Sequence, residues 1–136
     1  MLGGAGLALL IETVRATTAR AAASTVADGD AARFAADLDA GLDRLAAVTA
    51  RLYSTGDPAV TLANATLYLE ATGHLVVAWM WLEQLLSAGD RSGSFYAGKQ
   101  QAARYFFRFE LPKTAPQFDL LASLDRTTLE MRDAWV

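Results

Sequence analysis

The chain has 136 residues, of which 53% are hydrophobic, with a formal charge of -3 and a pI near 5.0. That length suffices to bury roughly two-thirds of the unfolded surface around one core, so a single domain over 1–136 is expected. The acidic balance argues against a general nucleic-acid binder, which needs phosphate-neutralising Lys and Arg on a basic domain. The absence of cysteine excludes disulfides, thiolate metal sites and thiol nucleophiles, and makes the cytoplasm the simplest compartment. The charge is uneven: residues 1–90 carry five Arg against ten acids, and residues 91–136 carry seven Lys and Arg against five.

The opening "MLGGAGLALLIETVRATTARAAA" has no basic residues ahead of its apolar run and is interrupted by Glu12, so a signal peptide is not expected. Leu7, Leu10, Ile11 and Val14 share one face at helical spacing, which predicts a first helix to about Ala23. "ADGD" at 27–30 breaks it, with Asp30 able to cap the next helix. Phe34, Leu38, Leu42, Leu45, Thr49 and Leu52 form the seam of a second helix ending near Tyr53. Asp57 and Pro58 then suit the cap and first position of a third, which runs to about Ser87 and stops at a left-handed Gly89. A fourth helix spans Phe95 to Leu111 and is expected to end at Pro112. The tail holds Phe118, Leu121 and Leu124 at spacings for one short helix that packs back. The pattern is all-α, a four-helix up-down bundle with a short C-terminal helical tail. Leu38, Leu45, Tyr68, Leu75, Trp79, Leu82, Phe95 and Phe106 are its expected core.

The third helix carries the run "NATLYLEATGHLVVAWMWLEQLL". A membrane span wants about 20 mainly apolar residues, and Glu70, His74 and Glu83 interrupt this one. Its apolar residues do not form one stripe. Tyr68, Leu75, Trp79, Leu82 and Leu86 make one seam; Leu62, Leu69, Val76 and Met80 make a second; Leu67, Trp81 and Leu85 lie near a third. A helix apolar on all sides is normally surrounded, so surplus surface predicts a cover: the tail, a second subunit or another domain. Met80, Trp81 and Leu85 are the candidate interface residues.

The polar residues of this region favour structural roles. Glu70 and His74 are one turn apart, but Glu83 lies about 180° from His74 on the wheel. A di-iron bundle needs carboxylates from several helices and paired Glu-x-x-His motifs, whereas this chain has one histidine. No metal ligand set, nucleophile elbow or phosphate-cradling loop is present, so no catalytic, cofactor-binding or metal residue is assigned. On the fourth helix, Phe95, Ala102, Phe106 and Phe109 share a face, and Arg104 and Arg108 lie nearly opposite, as core and solvated charge. Lys99 falls within the apolar face, where it must snorkel or meet a carboxylate, Glu70 or Glu83.

Taken together, "NATLYLEATGHLVVAWMWLEQLL" followed by "FYAGKQQAARYFFRFELP" resembles the extra C-terminal helical domain of a branch of the acyl-CoA dehydrogenases. The shared features are an Asn-Ala and Tyr-Leu start, Gly-His before a Trp-rich run, Phe-Tyr-x-x-Lys, and an aromatic pair ahead of Leu-Pro. The likeness is strongest from about Asp57 to Pro112, and the glycine pair at 3–4 suits the domain's beginning. The resemblance implies that the chain is the C-terminal part of a longer flavoenzyme that oxidises an acyl-CoA thioester. In that family a glutamate base and FAD belong to the preceding body, so no catalytic residue carries over. This helical domain is then an accessory element for docking on that body or for homo-oligomerisation. The alternative is an independent helical module binding an apolar ligand or a protein partner.

Overall fold

The structure, a computed structural model, describes residues 4–136, and Met1 to Gly3, where the glycine pair begins, lie outside them. Among the described residues every regular element is helical. Helix α1 covers Ala5–Ala22 and α2 covers Asp30–Tyr53; α3 is Pro58–Leu62, α4 Ala65–Ala88, α5 Ser94–Tyr105, α6 Thr114–Ala122 and α7 Thr127–Glu130.

α1 and α2 are joined by a turn in which Ala27, Asp28 and Gly29 all take positive φ. The chain thereby reverses before α2 begins, and Gly29 rather than Asp30 is the capping residue. Asp30 has left its expected capping role because its carboxylate is 2% exposed and occupied elsewhere. It accepts from Arg104 Nε at 2.5 Å and pairs with Arg33. The same contact turns Arg104 from an expected solvated charge into a tie between α5 and the start of α2.

α2 lies at the centre, packed against α1, α4 and α6. Its buried seam is Phe34, Leu38, Leu42, Leu45, Val48 and Leu52. Thr49 is displaced from the seam by Val48 and instead bonds the Leu45 carbonyl and the Tyr68 hydroxyl, each at 2.7 Å. α4 faces this seam with Ala71, Leu75, Ala78, Leu82 and Leu85, spaced four, three, four and three, the interval that keeps one stripe against a neighbour at shallow crossing angles. At Gly41 a Cβ would stand 2.5 Å from Leu75 Cδ2, so glycine there is what lets α2 and α4 approach.

Four expectations are corrected. The third helix is divided at Ala63 and Asn64, because Asn64 Nδ2 donates to the Asp125 carbonyl and Thr128 Oγ1 to that of Ala63, both at 3.0 Å. Those bonds to the C-terminal tail pull the backbone out of the helix. Gly89 does take positive φ, but with ψ at -134° it is outside the left-handed helical region. The helical path does not end at Pro112. Residues Phe106–Glu110 form a π turn, a short 3-10 turn covers Leu111–Lys113, and α6 follows. The widened turn, in which Leu111 N–H bonds the Phe106 carbonyl five residues back, accommodates a proline that a regular helix would reject.

The π turn also changes which aromatics are inside. Ala103, Phe107 and Leu111 are buried, and Phe107 stacks on Phe34 at 4.3 Å between ring centres. Phe95, expected in the core, is 67% exposed, and Phe106 only lines its edge. Leu38, Leu45, Leu75 and Leu82 are fully buried as expected, with Tyr68 and Trp79 partly buried beside them. α5 leans on α4, and α6 fills the space between α2 and α4 with Phe118 and Leu121.

Candidate interaction face

The four polar residues of the α4–α5 region are held apart. Glu83 faces α1, where it accepts from Thr17 Oγ1 at 2.6 Å and pairs with Arg20. His74 faces the other way. Its Nδ1–H donates to the Glu70 carbonyl at 3.0 Å, its Nε2 is 3.6 Å from Glu110, and its ring lies 6.0 Å from that of Phe106. Glu110 is held in turn by Lys113 at 3.0 Å. That hydrogen bond, with smaller help from His74, keeps the Glu110 carboxyl below its ordinary range against the opposing pull of burial.

The expected ion pair between Lys99 and a glutamate is replaced by aromatic contacts. The ammonium lies 5.5 Å from the Phe95 ring centre and 5.8 Å from that of Trp81, within the reach of a cation–π attraction. Glu83 is turned to α1, and Glu70 stands three turns of α4 away from Trp81, so neither reaches Lys99. The Glu70 carboxylate accepts instead from Gln117 Nε2 at 3.3 Å.

Of the three candidate interface residues, Met80 is 41% exposed, Trp81 is partly covered by Lys99, and Leu85 is 1% exposed inside the core. Leu85 is withdrawn because it continues the buried seam three residues after Leu82. The residues beside Met80 on the outer side of α4 are Leu69, 72% exposed, and Val77, also exposed. On α5, Phe95 and Phe109 are exposed as well, with Tyr105 stacked on Phe109 at 4.9 Å. This second stripe was hidden in the sequence, because a regular helix places Phe95, Phe106 and Phe109 together facing inward. The spacing of Phe95, Gly98, Ala102 and Phe109 around glycine was the available signal.

Elsewhere, an open cleft of about 360 Å³ lies between α2 and the α5–α6 path, floored by Gly41, Phe107, Leu111 and Phe118. Asp37 stands at its edge, its carboxyl raised above the ordinary range by burial despite the nearby Arg33. An apolar floor beside a carboxylate suits a hydrocarbon group and repels the pyrophosphate of a flavin dinucleotide, so FAD does not fit this cleft. No group of three or more His, Cys, Asp or Glu able to hold a metal occurs among the described residues, nor any helix long and apolar enough to cross a membrane.

The family model described as acetyl-CoA dehydrogenase C-terminal like matches residues 10–132. The chain belongs to that family. Neither a curated protein nor a solved structure matches it. As an accessory C-terminal-like domain of acyl-CoA dehydrogenase-like proteins, it owes its sequence likeness to the α4–α5 pair described above. The matched span runs from α1 into the last residues, so the tail that divides α3 from α4 is part of the C-terminal-like domain and not an appendage to it.

Proposed function

We propose that this domain is the accessory C-terminal part of a longer, FAD-dependent acyl-CoA dehydrogenase of the cytoplasm, serving docking or oligomerisation, with flavin and catalytic base held by a body outside residues 1–136. In this reading α1, α2, α4 and the α5–α6 path form an up-down arrangement of four, and the outward side of α4 meets the body or another subunit. The observation that carries it is the exposure of Leu69, Val77 and Met80 on a helix whose other sides are already covered. Solvent contact by such a contiguous apolar stripe is unfavourable, and stripes of this kind mark interaction sites.

The test is to produce the full-length flavoprotein with and without residues 1–136 and compare assembly state and flavin absorbance. Removal is expected to change assembly while leaving the flavin bound, and Met80→Arg in the full-length protein should reproduce the change. Flavin bound stoichiometrically by residues 1–136 alone, or an assembly indifferent to their removal, overturns the proposal. A second reading, an apolar-ligand module, draws on the cleft over Phe107 and Phe118. Copurified lipid lost on Gly41→Leu would favour it.

A further inference from the structure

Glu70 and Lys99 are opposite charges that the fold leaves without an ion pair to each other, and both border the exposed side of the α4–α5 pair. Glu70 is exposed and has only the neutral Gln117 for a side-chain partner; Lys99 has two aromatic rings. His74 and Trp81 mark the edge of α4 that meets α5, through Phe106 and Lys99 respectively. At about 100° per residue, Gly73, Val77 and Met80 lie on the side of α4 further from the core than that edge. By the same construction Phe95, Gly98 and Phe109 lie beyond Lys99 and Phe106 on α5. The two helices run antiparallel, so these sides adjoin as one two-helix face. Its centre is low, because a Cβ at Gly73 or Gly98 would meet nothing within 4 Å.

We infer that this face pairs with the same face of a second copy of the chain about a twofold axis through the middle of α4, setting Glu70 of each copy against Lys99 of the other. The inference rests on reading this face as an interaction surface and commits it to one occupant. Trp81, which carries Lys99, follows Glu70 by eleven residues, about 16 Å along a helix. An axis midway, near Val76, exchanges the two ends, so one rotation satisfies both charge pairs. A twofold contact is self-complementary by construction, and this face is acidic at one end, basic at the other and apolar between. The glycines near the axis allow the helices of the two copies to approach closely, with Met80 and Leu69 of one seated on the partner.

The test is sedimentation equilibrium on the wild-type chain and on Glu70→Lys, Lys99→Glu and Gly73→Arg, with circular dichroism melts to verify folding. The wild type is expected to be a dimer, and each charge reversal to weaken it by more than about tenfold by placing like charges together. Mixing the two reversal variants should restore a heterodimer, because each then meets its opposite at both ends. Gly73→Arg fits the open space of a single copy, so it should keep the melt and abolish the dimer. A monomeric wild type, or reversal variants that do not recombine, overturns the inference. If the monomer nevertheless binds a dehydrogenase body through Met80, the proposed function stands and only self-pairing fails. If the dimer behaves as expected but no flavoprotein assembly depends on it, the reverse holds.

Discussion

Trp79 reaches from α4 to donate its indole N–H to the Thr17 hydroxyl of α1, 2.8 Å away. That hydroxyl passes its own proton toward Glu83 at 2.6 Å, so a 2% exposed threonine links two residues one turn apart on the neighbouring helix. Thr17→Val keeps the shape and removes both functions. It is expected to cost about 1–3 kcal/mol by leaving the indole N–H without a partner, measured by urea unfolding. In a cycle with Trp79→Phe the two losses should fall short of additive by more than about 0.5 kcal/mol.

Leu75→Ala should cost about 2–5 kcal/mol, since the side chain is 2% exposed and its removal leaves a cavity. Phe95→Ala, by contrast, should stay within about 0.5 kcal/mol in a monomeric chain. Gly41→Ala links to the first of these. Alanine gains about 1 kcal/mol of helix preference, but its Cβ would stand 2.5 Å from Leu75 Cδ2, and overpacking costs about 1–3 kcal/mol. The substitution is expected to destabilise the wild type and to stabilise the Leu75→Ala variant. A loss in both backgrounds on thermal unfolding would disprove the contact.

Arg104→Met should destabilise the fold by about 1–3 kcal/mol, because Asp30 is buried and would keep Arg33 alone as its charged partner. The double variant with Asp30→Asn should recover part of that loss, since no buried charge is then stranded. Guanidinium unfolding of the three variants decides this.

Two carboxylates give opposite pH signatures. Burial raises Asp37 in the fold, so its ionisation disfavours folding: stability is fully present below the unfolded pKa and is lost as pH rises through the raised value. Asp37→Asn should therefore melt higher than wild type at neutral pH and match it in acid. Glu110 is lowered, chiefly by Lys113, so its contribution is present above the ordinary carboxylate range and lost as pH falls through the lowered value. Lys113→Met should melt lower than wild type at neutral pH, with the gap closing in acid.

Much of the architecture is legible in local chemistry. Asp57 accepts from Ala59 N–H at 3.0 Å ahead of Pro58, as its position implies, and the α2 seam follows its spacing except at Thr49. What local chemistry does not reveal is anything fixed by distant partners. No residue near Asn64 disfavours helix strongly enough to divide α3 from α4; bonds from residues more than 60 positions later do so. Arg104 looks solvated until Asp30, 74 residues earlier, is placed beside it. His74 reads correctly as one turn from Glu70, but its contacts with Glu110 and Phe106 depend on how the chain turns after Tyr105.

That π turn over Phe106–Glu110 amounts to one surplus residue in an otherwise regular helix. Deleting a single residue there, Arg108 for instance, would let the segment wind as ordinary α-helix and rotate everything that follows by about 100°. Phe107 and Leu111 could not then both stay beneath Ala103, and Pro112 would meet the preceding turn. Length is thus constrained at this one point as tightly as identity is in the core. The turn between α4 and α5, which carries none of these contacts inward, should accept an extra residue with little effect.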